Sequence, residues 1–156
     1  MTALRVDVAA DGVRVPLSRV RVAELARAVL RAERVRAAEL SITFVTAARI
    51  AALNWAHLRH RGPTDIITFE LAPPTPGAPL SGDVYIAPAV ARENAERAGC
   101  GVREEIARLV VHGVLHALGR EHPEDESRTT SPMWRRQERL LARLWTAPVT
   151  SAERAS

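Results

Sequence analysis

Three histidines fall within eleven residues in His112-Gly-Val-Leu-His116-Ala-Leu-Gly119-Arg-Glu-His122. On an α-helix of about 3.6 residues per turn, His112 and His116 lie one above the other on a single face, free to aim at one ion. Gly119, three residues past the second histidine, can take the left-handed conformation that ends a helix, and the turn it permits brings His122 back toward the other two rings. That makes a tripod. Three imidazole nitrogens with a fourth position open are the pattern of a catalytic zinc, whereas structural zinc is usually enclosed by four protein ligands, often thiolates. Cys100 is the single cysteine, so a thiolate cage is not available.

A lone histidine on an apolar helix is more often a satisfied core residue than a ligand, but number, spacing and the glycine together favour a metal. The spacing resembles the metzincin pattern H-E-x-x-H-x-x-G-x-x-H. Where those peptidases place the general-base glutamate, this chain has Gly113, which cannot take a proton. Three neutral imidazoles also leave the full double charge of zinc at the site, enough to acidify a bound water from a pKa of about 15.7 to near 7. Such a centre suits an anionic target. A phosphodiester brings its own negative oxygens to the ion, so charge neutralisation there needs no peptidase-type glutamate.

Several elements must position these residues. Leu4 to Ala9 alternates as a first strand, with Val13 to Val15 a continuation after the turn signal Asp11-Gly12. Ser18 caps an amphipathic helix from Arg19 to about Val35, and Leu40 to Val45 is a second strand. Thr46 caps a helix from Ala47 to about His57; a basic loop, Leu58 to Pro63, leads to a third strand, Thr64 to Leu71. Four prolines between Pro73 and Pro79 exclude regular structure there. Gly82 to Ala87 is a fourth strand, and Pro88 opens a helix to about Ala98. Val102 to Leu118 is the longest apolar helix, carrying the first two histidines on the core. After the acidic run Glu124-Asp-Glu126, Ser131-Pro132 opens a last helix to about Trp145, with Trp134, Leu140, Leu141 and Leu144 facing inward. Four short strands among five helices predict an α+β fold, one small mixed sheet with helices packed against it.

At 156 residues the chain is expected to form one domain over 1–147, followed by a frayed tail over 148–156. No run of eighteen apolar residues occurs, the N-terminus lacks the layout of a secretory signal, and one cysteine fits a reducing compartment, so a cytoplasmic protein is expected. All 22 basic residues are arginine, for a net charge of +4. A GC-rich genome explains that most simply, although arginine forks also bind phosphate bidentately and suit a nucleic-acid substrate.

Three segments spanning residues 53–122 together resemble the YbeY family of bacterial zinc-dependent endoribonucleases. Its signature H-G-x-L-H-x-x-G-x-D-H is matched by His112, Gly113, Leu115, His116, Gly119 and His122. Leu53-Asn54 followed by Pro63-Thr64-Asp65-Ile-Ile-Thr-Phe69 is similar to the family's L-N-(loop)-P-T-D-V-L-S-F element. Gly82-Asp83-Val84-Tyr85-Ile86, leading into Ala91-Arg92-Glu93-Asn94-Ala95, resembles its G-D-I-x-I strand and the helix after it. Two departures stand out. Arg120-Glu121 replaces Tyr-Asp before the third histidine, and the place of the family's loop arginine holds Leu58, with Arg59 its neighbour and His60 following an alternative leucine-x-histidine form.

The resemblance implies an enzyme that trims precursor 16S ribosomal RNA near its 3′ end and serves ribosome quality control, with single-stranded RNA and the small ribosomal subunit as partners. One Zn2+ is expected on His112, His116 and His122. Arg59 or Arg61 would neutralise charge developing at the phosphate, and His60 would transfer a proton. Glu121, Asp65 and Asp83 are expected to hydrogen-bond loop backbone or a ligand imidazole. Neither a membrane nor DNA is expected as a partner. The rival readings are a zinc peptidase, motivated by the histidine spacing alone, and a non-catalytic ribosome-associated factor whose zinc only stabilises the fold.

Overall fold

In the computed structural model, residues 3–71, 75–122 and 126–145 are described. The tail over 148–156, Pro73 and Pro74 of the proline loop, and Glu124 and Asp125 of the acidic run lie outside them. In chain order come β1 (Ala3–Ala10), α1 (Arg19–Ala32), β2 (Ala37–Phe44) and α2 (Ala47–Leu53), which runs on into a π-helical turn (Asn54–Leu58). Then follow β3 (Ile66–Leu71), β4 (Leu80–Ile86), α3 (Pro88–Ala98), α4 (Val102–Ala117), a 3-10 turn (Glu126–Thr130) and α5 (Pro132–Trp145).

The four strands form one mixed sheet in the order β1-β2-β4-β3. β1 is parallel to β2 and β2 to β4, while β3 runs antiparallel to β4 at the edge. With five helices beside it, this is the α+β architecture that the element pattern predicts. Pairing corrects two strand limits. β2 begins at Ala37 rather than Leu40 because Ala37 lies opposite Ala3, and β1 stops at Ala10, opposite Phe44, where β2 ends. Val13 to Val15 therefore has no strand to join; Val13 and Val15 instead pack as irregular chain against the core. The local caps stand where the residue types put them. Ser18 Oγ accepts from the Arg21 amide at 3.1 Å, Thr46 Oγ1 from Arg49 at 3.1 Å and Ser131 Oγ from Trp134 at 3.2 Å.

α4 is the central rod. Ile106, Val110, Val114 and Leu115 on it are fully buried, and each such side chain contributes on the order of 1.5–3 kcal/mol. Its position against the sheet is set by small residues: a Cβ on Gly82 would lie 3.1 Å from Ala117 Cβ, and one on Gly113 would lie 2.8 Å from Val84 Cγ1. Gly82 and Val84 thus face α4, and because side chains alternate along a strand, Asp83 and Tyr85 face away from it. α1, α3 and α5 all pack against α4. Ile50 and Leu53 of α2 form a separate, smaller core with Val45, Ile67 and Ala87. Ile66, the neighbour of Ile67, touches the Gly113 position of α4, so α2 covers the sheet face opposite α4. No described helix is long and apolar enough to cross a membrane.

Candidate metal centre

The end of α4 brings the third histidine home. Gly119 has φ +83°, its amide donates to His116 O at 2.9 Å, and the Arg120 amide donates to Leu115 O at 3.0 Å. These are the two bonds of a Schellman ending, which reverses the chain within two residues of the helix. His122 then stands beside the other two rings, its centroid 5.0 Å from that of His112 and 5.0 Å from that of His116. One ring nitrogen from each of the three lies within 4.8 Å of the others. His122 Nε2 and His112 Nε2 are 3.4 Å apart. Two nitrogens each about 2.0–2.1 Å from a tetrahedral zinc would be separated by roughly 3.3 Å, so that pair is spaced as two ligands of such an ion, with the His116 nitrogen within 4.8 Å of both.

Protonation fits too. His112 is 4% exposed and its Nδ1 lies 2.6 Å from Gln137 Oε1. Gln137, 1% exposed, has its amide orientation set from the other side, because Nε2 donates to Glu138 Oε2 at 3.1 Å. The carbonyl oxygen is therefore the end that meets His112, so Nδ1 carries the proton and donates, leaving the Nε2 lone pair toward the cleft. Glu138 is in turn held by Arg108 Nε at 3.2 and 3.1 Å, and Arg108 Nη1 also reaches Glu105 at 2.9 Å. That ion pair sets α5 on α4 one helical turn below His112, and so aligns Gln137 with the ring. We expect Gln137→Leu to weaken zinc binding by about 10- to 100-fold, measured by competition with a chromogenic chelator, since the ring would lose the partner that fixes its tautomer. Unchanged affinity would show that packing alone orients His112.

Burial, and next the charge of His116, lower the His112 pKa to about 3. His116 is lowered as well, first by burial and then by the charges of His122 and Arg128. Both rings are therefore neutral at pH 7, as ligands must be. In the unfolded chain each would take up a proton near pH 6.5. Below that pH and down to about 3, the unfolded state binds more protons than the folded one, so stability is fully present above the window and falls as the pH drops through it. Metal-stripped protein should accordingly melt at progressively lower temperature from about pH 7 to about pH 4. Thermal circular dichroism scans check this; a flat profile would mean that the rings are solvated.

The histidines open onto a cleft of about 620 Å³ whose walls include Leu58, Thr64, Asp65, Thr68, Glu121 and Arg128. Of the carboxylates expected at the site, two reach it. Glu121 is exposed on the cleft wall. Asp65 accepts from Asn94 Nδ2 at 3.0 Å, and its backbone carbonyl accepts from the Ala87 amide at 3.0 Å, so it ties the start of β3 to α3 at the cleft edge. Asp83 does not reach it. On the sheet face turned from α4, its Oδ1 accepts from Ser41 Oγ at 2.7 Å.

The basic loop forms the rim. Arg59, with φ 56°, ends the π-helical turn, and buried Asn54 closes the loop by donating from Nδ2 to Gly62 O at 3.0 Å and accepting at its backbone carbonyl from the His60 amide at 3.3 Å. Arg59 and Arg61 lie over the Trp55 ring, 5.5 and 5.3 Å from its centroid, and neither lines the cleft; nor does His60, which is exposed. Leu58 is the loop side chain that does. Two residues at the site, one behind His112 and one on the cleft wall, lie outside the histidine spacing. Gln137 had a signal, a polar residue within the apolar stripe of Met133, Leu140 and Leu141 on α5, which asks for a buried partner. Arg128, in the 3-10 turn, had none.

The sequence profile described as endoribonuclease YbeY matches residues 11–145. A protein of Thermobifida fusca named endoribonuclease YbeY is 40% identical over 148 residues, covering 89% of this chain and 93% of that protein. One of the same name from Frankia alni is 37% identical over 149 residues, covering 87% and 80%. A solution structure from Thermotoga maritima superposes with a TM-score of 0.60 at 21% identity, over 90% of this chain and 89% of that one, and so shares the fold.

Proposed function

The chain belongs to the endoribonuclease YbeY family, and from that premise we propose that it is a zinc-dependent endoribonuclease that cuts single-stranded RNA. One observation carries the reading: three imidazoles converge on an open cleft, with no carboxylate in the cluster among the described residues. A zinc ion held by His112, His116 and His122 would supply Lewis-acid polarisation of a phosphate oxygen and an acidified water. Gln137 keeps the His112 lone pair on the cleft side. Glu121 and Asp65 are the cleft carboxylates available to hold or orient a proton. Arg59, His60 and Arg61 stand on the rim, where we assign them to the RNA strand as it enters, with Arg59 neutralising phosphate charge and His60 the candidate for proton transfer.

The substrate we propose is precursor 16S ribosomal RNA near its 3′ end, met on the small ribosomal subunit in the cytoplasm, with a part in ribosome quality control. Residues 1–147 would act as one domain. The peptidase alternative has no support at Gly113, which packs on Val84 instead of facing the cleft.

The zinc-loaded protein, incubated in parallel with unstructured RNA, DNA of the same sequence and casein, tests the reading. RNA should be cut, and chelator should stop the cutting until zinc is restored. Peptides released from casein with RNA intact would establish the peptidase instead, and intact RNA together with ribosome binding would leave a non-catalytic factor. Product ends name the nucleophile: a 2′,3′-cyclic phosphate implicates the RNA's own 2′-hydroxyl, whereas 5′-phosphate and 3′-hydroxyl ends implicate water. In cells, loss of the protein should leave 16S precursors extended at the 3′ end.

A further inference from the structure

The cleft holds a cation that the rim arginines do not supply. Arg128 comes from the 3-10 turn between His122 and α5 and lines the same cleft as the three histidines; among the described residues lining it, Arg128 is the one arginine or lysine. Its guanidinium lies 5.6 Å from the centroid of the Trp134 ring, which supports it from the side of α5. Its Nε is buried without a hydrogen-bond partner. An orphaned guanidinium donor costs free energy unless a ligand fills it, and the planar fork suits two oxygens of a phosphate. From the rim loop the cleft takes only the apolar Leu58, while Arg59 and Arg61 are engaged with Trp55.

We propose that Arg128 is the catalytic arginine of this chain, gripping the non-bridging oxygens of the phosphodiester that lies over the three histidines. The inference rests on the endoribonuclease reading above and names the group that holds its substrate. The same positive charge bears on His112 and His116, which places it within electrostatic range of the centre. A fixed guanidinium there also stabilises the extra negative charge that the phosphate gains as it is attacked, and does so without reorganising.

Wild type, Arg128→Ala and Arg128→Lys are compared in two ways. With zinc and an unstructured oligouridylate, kcat/KM should fall about 100-fold for the alanine variant, and lysine should recover little, since a point charge cannot bridge two oxygens. Added guanidinium chloride at low concentration should restore part of the alanine variant's rate. With chelator present and the same RNA labelled with fluorescein, the alanine variant should bind about tenfold more weakly, and the slope of log affinity against log salt should shrink by about 0.7, the value for one phosphate contact on a single strand. Zinc content and melting temperature should match wild type. Alanine-variant cleavage at the wild-type rate overturns the proposal. So does lost cleavage with an unchanged salt slope and a lowered melting temperature, which would make Arg128 a strut for Trp134. Should the alanine variant not fold, the lysine variant decides: full activity there rejects the bidentate grip. A wild type that binds RNA through Arg128 but never cuts it would sink the endoribonuclease reading and leave this contact standing.

Discussion

His116→Ala is expected to empty the zinc site and to reduce RNA cleavage by about a thousandfold or more. His116 is the cleanest of the three ligands to remove. It is half-buried on the cleft side of α4, whereas His112 is 4% exposed and bonded to Gln137, so deleting the His112 ring would also orphan a buried amide and confuse chemistry with folding. Two imidazoles hold zinc far more weakly than three. Without the ion, the cleft keeps Arg128 but loses the group that polarises phosphate, which is worth several kcal/mol in the barrier. Elemental analysis and an RNA digest on the same sample give the answer, with near-ultraviolet circular dichroism as the fold control. Full zinc with full activity would mean that the ion sits elsewhere. Zinc lost from a folded variant that still processes RNA at the normal rate would leave the metal a structural role only.

Gly113→Glu, which restores the letter that the peptidase pattern demands, should abolish folding. A Cβ at 113 already lies 2.8 Å from Val84 Cγ1 and 3.1 Å from Ile66 Cδ1, both on packed strands. Alanine is the graded case. It gains about 1 kcal/mol of helix propensity over glycine and loses about 1–3 kcal/mol to overpacking against a stiff β-branched neighbour. Gly113→Ala should therefore be destabilised by about 1 kcal/mol and melt about 3 °C lower. Glutamate adds two methylenes and a carboxylate pressed on an apolar strand, with a penalty of several kcal/mol against the 5–15 kcal/mol typical of a whole domain. Soluble expression and the near-ultraviolet spectrum read the outcome. A folded, zinc-bound Gly113→Glu that cleaves casein would show that the sheet can retreat and that glycine was not required by packing.

The glycine explains why the histidine spacing alone misleads. In peptidase-type helices the residue after the first histidine must see the metal, but here that position is where α4 touches β3 and β4. Sequence spacing says that His112 and His116 share a face; it does not say which neighbouring face meets the sheet. The same limit applies to the rim loop. Arg59, His60 and Arg61 are adjacent to the cleft in sequence terms, through Leu58, yet Trp55 draws both arginines onto its ring and only Leu58 turns inward. Asp83, expected among the helping carboxylates, sits on the wrong side of a strand whose alternation is settled by Gly82 and Val84 packing on α4.

What this chain determined by itself was local in sequence. The i, i+4 pair His112 and His116, the Schellman turn at Gly119 and the return of His122 are closed within eleven residues, and caps such as Ser18, Thr46 and Ser131 act over three. Helical period and backbone hydrogen bonds suffice for those. Tertiary structure decided the rest: Gln137 reaches His112 across 25 positions because Arg108 and Glu138 set α5 on α4, and Arg128 enters the cleft because a 3-10 turn packs on Trp134. Such contacts depend on how elements dock, and docking is governed by shape and burial summed over many residues, which no single spacing encodes.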